Sequence, residues 1–271
     1  MTAQYVKRLL LLMAMFYAAN AHAGERILAL APHVCEILFA IEAGPDIVGA
    51  VNYCDYPAAA KDIPHVGTYQ RINVESALRL EPTLVVVMNR EVPGVAQLKQ
   101  LGVKVIESYP RSFDGIFSDI HKLGIATGRE SEAERLVSRL NERLAKVRAH
   151  KLESIPVFYE VWFDPLITAG GQAFITEVLH EAGARNVFAA VPQDTPQVNV
   201  EAVLQARPQV IIIPSENRDV HARQSFWESW FGQNKVKFVE VNPDLMHRPG
   251  PRLFDGLETL QEALREVAGN E

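Results

Sequence analysis

Apolar and polar positions along the chain fall into two alternating patterns. Short aliphatic and β-branched runs at Arg26–Ala31, Ile47–Val51, Leu84–Val87 and Val103–Glu107 read as buried strands. Between them lie stretches of helical period: Val34–Ala43 closed by Gly44, Val74–Leu80, and a segment near Val95–Leu101. Strands separated by helices predict parallel α/β sheets. From Phe113 to about His150 the pattern is helical throughout. Its Gly- and Pro-free part, Ser131–His150, sets Leu136, Leu140, Leu144 and Val147 on one stripe, with Arg and Glu on the other faces. Ser131 and Glu134 have the spacing of a capping box at its start. Such a helix is about 30 Å long at 1.5 Å per residue, enough to run along one domain or to join two. Beyond Pro156 the alternation resumes with strand Val157–Val161, helix Phe174–Ala182, strands Val210–Ile213 and Lys237–Val241, and a last helix Leu253–Val267.

The second half echoes the first. Asn73-Val74-Glu75 is followed by Leu78, Pro82 and the run Leu84–Val87; Asn199-Val200-Glu201 is followed at the same intervals by Leu204, Pro208 and Val210–Ile213. Glu42-Ala43-Gly44 before Val48 likewise matches Glu181-Ala182-Gly183 before Val187. Two related lobes joined by one long helix account for this better than chance. The expected division is a signal segment 1–23, an N-terminal α/β lobe 24–128, an interlobe helix 129–151 and a C-terminal α/β lobe 152–271. Two lobes with one connection leave a cleft, and ligands of open α/β sheets sit beyond the C-terminal strand ends.

Composition narrows the class. Lys7 and Arg8, the apolar run Leu9–Ala19 and the small residues Ala21-His22-Ala23 have the form of a secretory signal peptide. No Cys stands at the expected cleavage point, which favours an unanchored exported chain. A net charge of −6 argues against nucleic acid, whose binding needs clustered Lys and Arg. Cys35 and Cys54 are the only cysteines, and an oxidising compartment allows their pairing, but spacing alone leaves the geometry open.

Catalytic signatures are missing: there is no G-x-S-x-G elbow, no phosphate loop and no H-E-x-x-H pair, and the eight His are scattered. What stands out is aromatic residues just beyond strands: Tyr53 and Tyr56, Tyr69 in a Pro/Gly-containing loop, and Trp162 with Phe163. Rings offer broad, rigid contact to a large flat ligand at low entropic cost. Trp227, Trp230 and Phe231 stand at helical spacing and read as core. Glu75 and Glu201 each follow an Asn that can cap a helix. They are either first-turn carboxylates or matched acidic knobs, one per lobe, for arginines of a two-fold partner. The loop Asn242–Pro251 and its edge offer Asp244, His247, Arg248 and Arg252 to polar ligand edges.

At these residues the chain resembles the helical-backbone solute-binding proteins that serve ABC importers of siderophores, haem and cobalamin. The segments carrying the resemblance are Arg26–Gly44, Val51–Pro57, Val66–Glu75, Thr168–Val187, Val198–Ile213 and Asp244–Arg252. It implies a periplasmic, monomeric receptor of two α/β lobes on a backbone helix, which delivers its ligand to membrane permease subunits and is not an enzyme. Ligand-level matches imply a corrinoid of the cobalamin type, carried as cargo, with no cofactor or metal of the protein's own. The family's aromatic corrin contacts fall on Tyr53 and Tyr69, its Asp and Arg for corrin side groups on Asp244 and Arg248, and its permease-docking glutamates on Glu75 and Glu201. One aromatic wall of the second lobe falls near Val161–Trp162, making Trp162 the natural substitute. The other falls on Thr195, which has no ring, and the family's second-lobe cysteine pair is absent. Haem or a ferric siderophore is the alternative within the family; haem would call for an axial ligand from Tyr69, His33 or His247.

Overall fold

The computed structural model describes residues 24–150, 154–215 and 220–269. The expected signal segment lies outside them. Among the described residues no helix is long and apolar enough to cross a membrane.

The first lobe is a six-stranded sheet. Its strands are β1 (Ile27–Leu30), β2 (Ile47–Val51), β3 (His65–Thr68), β4 (Arg71–Ile72), β5 (Leu84–Val87) and β6 (Lys104–Glu107), in the order β4-β3-β2-β1-β5-β6. Neighbours are parallel except the β3–β4 hairpin. Both faces are covered, so β1 and β5 are buried at every position, which is why their sequences are continuous apolar runs. The covering helices here are α1 (Pro32–Ala40), α2 (Val74–Leu78) and α3 (Val95–Gln100). Pro32 opens α1 at a position where its missing N–H costs nothing. Asn73 caps α2 by accepting from the Ser76 N–H at 3.0 Å.

The helical stretch after Phe113 is two helices, α4 (Phe113–Thr127) and α5 (Glu130–Ala149). Gly128 ends α4 in the left-handed region at φ 65°, and the chain turns straight into α5. That turn overrides the expected capping box at Ser131. The helix begins one residue earlier behind Arg129, without a side-chain cap, and Glu134 instead accepts from His121 at 2.9 Å. The stripe Leu136, Leu140, Leu144 and Val147 is buried as its spacing requires.

The second lobe holds β7 (Ile155–Trp162), β8 (Ile167–Thr168), β9 (Ala184–Asn186), β10 (Val210–Pro214) and β11 (Lys237–Val241), in the order β11-β10-β7-β8 with β9 also on β7. Its helices are α6 (Phe174–Glu181), α7 (Val200–Ala206), α8 (Val220–Phe231), the single turn α9 (Pro243–Met246) and α10 (Leu253–Gly269). Asn199 caps α7 as Asn73 caps α2, accepting from Ala202 N–H at 2.9 Å, so the sequence echo is a structural one. Of the expected core trio on α8, Trp227 is fully buried and Phe231 partly so, but Trp230 is half-exposed on the outer side. The Trp227 indole N–H donates to Glu160 at 2.7 Å, beside a buried Arg223–Glu160 ion pair.

One apolar core runs through both lobes, from β1 and α1 across α4 and α5 to β7, α6 and α10. Phe113 of α4 meets Phe254 of α10 at 5.4 Å and Phe174 of α6 at 5.7 Å between ring centroids. Each ring buried there contributes about 1.5–3 kcal/mol, so the lobes share packing below the cleft as well as a connecting helix.

Candidate functional site

The C-terminal ends of the parallel strands face the groove between the lobes, and the residues just beyond them line it. Beyond β2 stand Tyr53 and Asp55, beyond β5 Met88, beyond β10 Ser215, and beyond β11 Asn242 and Asp244. With Pro32, Tyr69, His247 and Arg248 they surround a hollow of about 830 Å³. A second hollow of about 690 Å³ continues past Tyr69 and Met88 to Tyr109, beyond β6. These volumes suit a large ligand, since whole-ligand pockets are commonly about 300–1,000 Å³.

Three tyrosines present their rings from the first lobe, each for a local reason. Tyr53 follows β2 with φ 68°, a left-handed conformation that is strained for a bulky residue and turns its side chain outward, 64% exposed. The next residue, Cys54, is disulfide-bonded to Cys35 of α1, with Cα atoms 5.9 Å apart, well inside the range a disulfide accepts. Tyr69 stands at the tip of the β3–β4 hairpin, where the sequence suggested a loop. Gly67 makes the hairpin possible: a Cβ there would collide with the Arg71 carbonyl oxygen. Thr68 Oγ1 accepts from the Gln70 and Arg71 N–H groups at 3.3 and 3.2 Å, closing the turn. Tyr109 is the third, half-exposed, with the Arg111 guanidinium 4.8 Å above its ring. The sequence signal that singled out Tyr53, an aromatic two residues past a strand, applies equally to Tyr109.

Asp244 and Arg248 both reach the cleft, but Arg248 is buried and already occupied. Its guanidinium donates to Asp55 Oδ1 at 2.6 Å, Asp244 Oδ1 at 2.6 Å and Glu36 Oε1 at 3.3 Å. Arg252 adds a bond to Glu36 Oε1 at 3.2 Å and stacks 4.1 Å over Tyr56. Glu36 and Asp55 come from the first lobe, the arginines and Asp244 from the segment after β11, so this network ties the lobes at the cleft floor. Burial pushes Glu36 up to about 7, with Arg252 and Arg248 pulling the other way. Arg248, through its hydrogen bond, holds Asp55 below the usual carboxylate range. Asp55 and Asp244 remain part-exposed towards the hollow, which is therefore rich in acceptors. The loop expected at Asn242–Pro251 is stiffened by α9, which Asn242 caps by accepting from the Asp244 N–H at 2.9 Å.

The remaining candidates stand elsewhere. Trp162, the last residue of β7, is half-exposed with its indole N–H donating to the Asp164 carbonyl at 2.8 Å; Val161, not Trp162, lines the groove wall at this strand end. Glu75 and Glu201 sit in the first turns of α2 and α7, both exposed, and Glu75 pairs with Arg79 one turn on at 2.9 Å. His33 is buried, its Nε2 donating to the Ser108 carbonyl at 3.1 Å, and burial holds it down at about 4. His247 Nε2 meets the hydroxyl of buried Tyr159 at 2.9 Å. Among the described residues no three His, Cys, Asp or Glu converge as a metal site.

Two α/β lobes on a helical connection, with an open acceptor-rich groove at the strand ends, define a solute-binding architecture. Residues 27–249 match the periplasmic binding protein family, and the chain belongs to it. Over 262 residues it is 30% identical to a vitamin B12-binding protein of Photorhabdus laumondii, spanning 95% of this chain and 94% of that one. The solved periplasmic vitamin B12 binding protein of Vibrio cholerae is also 30% identical, with a TM-score of 0.79 over 90% of this chain and 98% of its own. A periplasmic haem-binding protein from Roseiflexus sp. RS-1 has the same TM-score, 0.79, at 24% identity, covering 91% and 100%; that likeness is one of fold.

Proposed function

We propose that this protein is a periplasmic receptor that captures a corrinoid of the cobalamin type between its lobes and hands it to the membrane subunits of an ABC importer. The observation that carries this reading is the broad cleft faced by exposed Tyr53, Tyr69 and Tyr109, in a chain similar from end to end to vitamin B12-binding proteins. Exposed rings in one groove are an apolar surface kept for a partner, and a corrin presents a large flat face to them. Its rim carries amides, which need hydrogen-bond partners once desolvated. Asp55 and Asp244 supply acceptors, while Arg248 holds both carboxylates in place and keeps a charged edge of its own at the hollow. Trp162 in this reading is a wall at the cleft margin. The receptor carries its cargo unchanged.

The haem alternative needs an axial ligand in the cleft. His33 spends its Nε2 inside the core and His247 engages Tyr159, which leaves Tyr69 as the cleft's candidate axial ligand. Absorption spectra of the purified chain mixed with cyanocobalamin or with haemin test the choice. The reading expects a corrinoid spectrum to stay with the protein through gel filtration; a retained haem band with no retained corrinoid would overturn it. For delivery, Glu75 and Glu201 are the proposed docking carboxylates, exposed and structurally equivalent on the two lobes.

A further inference from the structure

Beneath the strand ends of the first lobe the core holds three connected polar side chains, His33, Ser108 and Asp119, each at most 5% exposed. Burying such groups costs free energy unless their polar atoms find partners. Ser108 joins them. Its N–H donates to the Val87 carbonyl at 2.8 Å, continuing the β5–β6 pairing by one residue. Its carbonyl accepts from His33 Nε2 of α1 at 3.1 Å, and its hydroxyl donates to Asp119 Oδ2 of α4 at 2.7 Å. His33 Nε2 also lies 3.0 Å from that hydroxyl oxygen. The hydroxyl hydrogen is directed at Asp119 and the carbonyl has none, so Nε2 carries the proton of the imidazole. Lys122 closes the far end, donating to Asp119 Oδ1 at 2.6 Å and to the Glu107 carbonyl at 3.3 Å. Ser108 is thereby fixed to the sheet, to α1 and to α4 at once.

We propose that Ser108, held by His33 and Asp119, is a positioning residue that sets the Tyr109 ring in the cleft. The inference rests on the corrinoid reading, in which Tyr109 is one of the rings that face the ligand. Tyr109 is the next residue and lines the second hollow, so the direction in which its side chain leaves the backbone is set where Ser108 is fixed. Apolar packing would fill the place of Ser108 at less cost, since a buried carboxylate has to be satisfied by several bonds. What the network adds is direction, because hydrogen bonds fully satisfied in a dry core fix one arrangement. On the ring's other side Arg111 stacks over Tyr109 and donates to Asp194 Oδ1 of the second lobe at 2.8 Å. That ion pair is half-exposed, and such pairs hold weakly. Placing the ring falls to the buried bonds below it.

Calorimetric titration with cyanocobalamin and fluorine NMR of the intact exported chain labelled with fluorotyrosine test this, the Tyr109 signal being assigned by its loss in Tyr109→Phe. Ser108→Ala is expected to weaken cyanocobalamin binding at least about fivefold, on the scale of one lost buried hydrogen bond, and to shift or broaden the Tyr109 signal. The Tyr159 signal, from the second lobe, should stay as in the parent and so report that the variant is folded. His33→Leu should act in the same way. His33→Gln keeps an N–H donor for the Ser108 carbonyl and should stay within about twofold of the parent. In a Tyr109→Ala background, Ser108→Ala should add no loss beyond about twofold, because the ring it positions is gone. An equal loss in that background would make Ser108 a general support of the lobe and overturn the proposal. Parent-like affinity with an unmoved Tyr109 signal in Ser108→Ala would overturn it too. If the parent binds no cyanocobalamin, the corrinoid reading falls, and the Tyr109 signal alone decides the positioning role: moved by Ser108→Ala it stands, unmoved it falls.

Discussion

Tyr69 and Arg248 divide the work of the cleft between surface and frame. Tyr69 is 44% exposed at a hairpin tip, outside the buried core. Tyr69→Ala is therefore expected to weaken corrinoid binding by about 1–3 kcal/mol, as a buried aromatic anchor does, with an unchanged unfolding midpoint. Equal affinities by calorimetry would remove Tyr69 from the site. Arg248 is the reverse case, buried among Glu36, Asp55 and Asp244, and Arg248→Ala takes the cation from Asp55 and Asp244 and leaves Glu36 with Arg252 alone. A loss of stability is expected alongside the loss of binding, on the scale of about 3 kcal/mol found for broken buried pairs.

Glu36 adds a pH signature. Its folded value of about 7 lies above its ordinary 4.5, because burial disfavours the charge. The fold thus keeps a proton that the unfolded chain gives up, and stability from this group is full below about 4.5 and is lost as pH rises towards 7. Glu36→Gln should flatten that decline. Denaturant midpoints between pH 5 and 7.5 check it, and a slope equal to the parent's would contradict it.

Among the elements, the Cys35–Cys54 bridge ties α1 to the segment that carries Tyr53 and Asp55. Closing a loop of 19 residues is worth about 3 kcal/mol in the chain-entropy picture. The double change Cys35→Ser, Cys54→Ser is expected to cost about that much in denaturant unfolding under oxidising conditions, and to weaken ligand binding by freeing the tyrosine. Unchanged stability would mean the bridge holds nothing that packing does not. The bridge also marks where sequence reading stops. Strands such as β1, β5 and β10 were legible because burial on both faces writes an unbroken apolar run. The strands β3, β4, β8 and β9 are not legible, since their two to four residues mix polar with apolar and form no unbroken run, and β3–β4 depends on Gly67 meeting Arg71. The start of α5 departs from the capping pattern at Ser131 because the helix–helix turn at Gly128 outweighs it. In the cleft, Tyr53, Tyr69 and Asp244 could be found as loop residues beyond strands. Asp55 and Glu36 could not, because their importance comes from an arginine roughly two hundred residues away in the chain.

On the scale of the whole molecule, a shared core and the ionic network at the cleft floor hold two lobes at a groove whose opposite margin is bridged by Arg111–Asp194. The exposed Glu75 and Glu201 lie outside this frame. The double change Glu75→Ala, Glu201→Ala should leave ligand affinity intact and reduce complex formation with the cognate permease, each single change doing less. Charged contacts of this kind steer and orient association, so the defect should be read by pull-down or surface plasmon resonance across salt concentrations. Normal docking by the double variant would return both residues to the role of ordinary helix-start carboxylates. The central claim, that the tyrosine-faced cleft binds a corrinoid, is tested most directly by calorimetric titration of cyanocobalamin into the parent chain and into a Tyr53→Ala, Tyr69→Ala double variant. The account expects one corrinoid per parent chain and at least about tenfold weaker binding by the variant. No heat from the parent, or equal affinity in the two proteins, would contradict it.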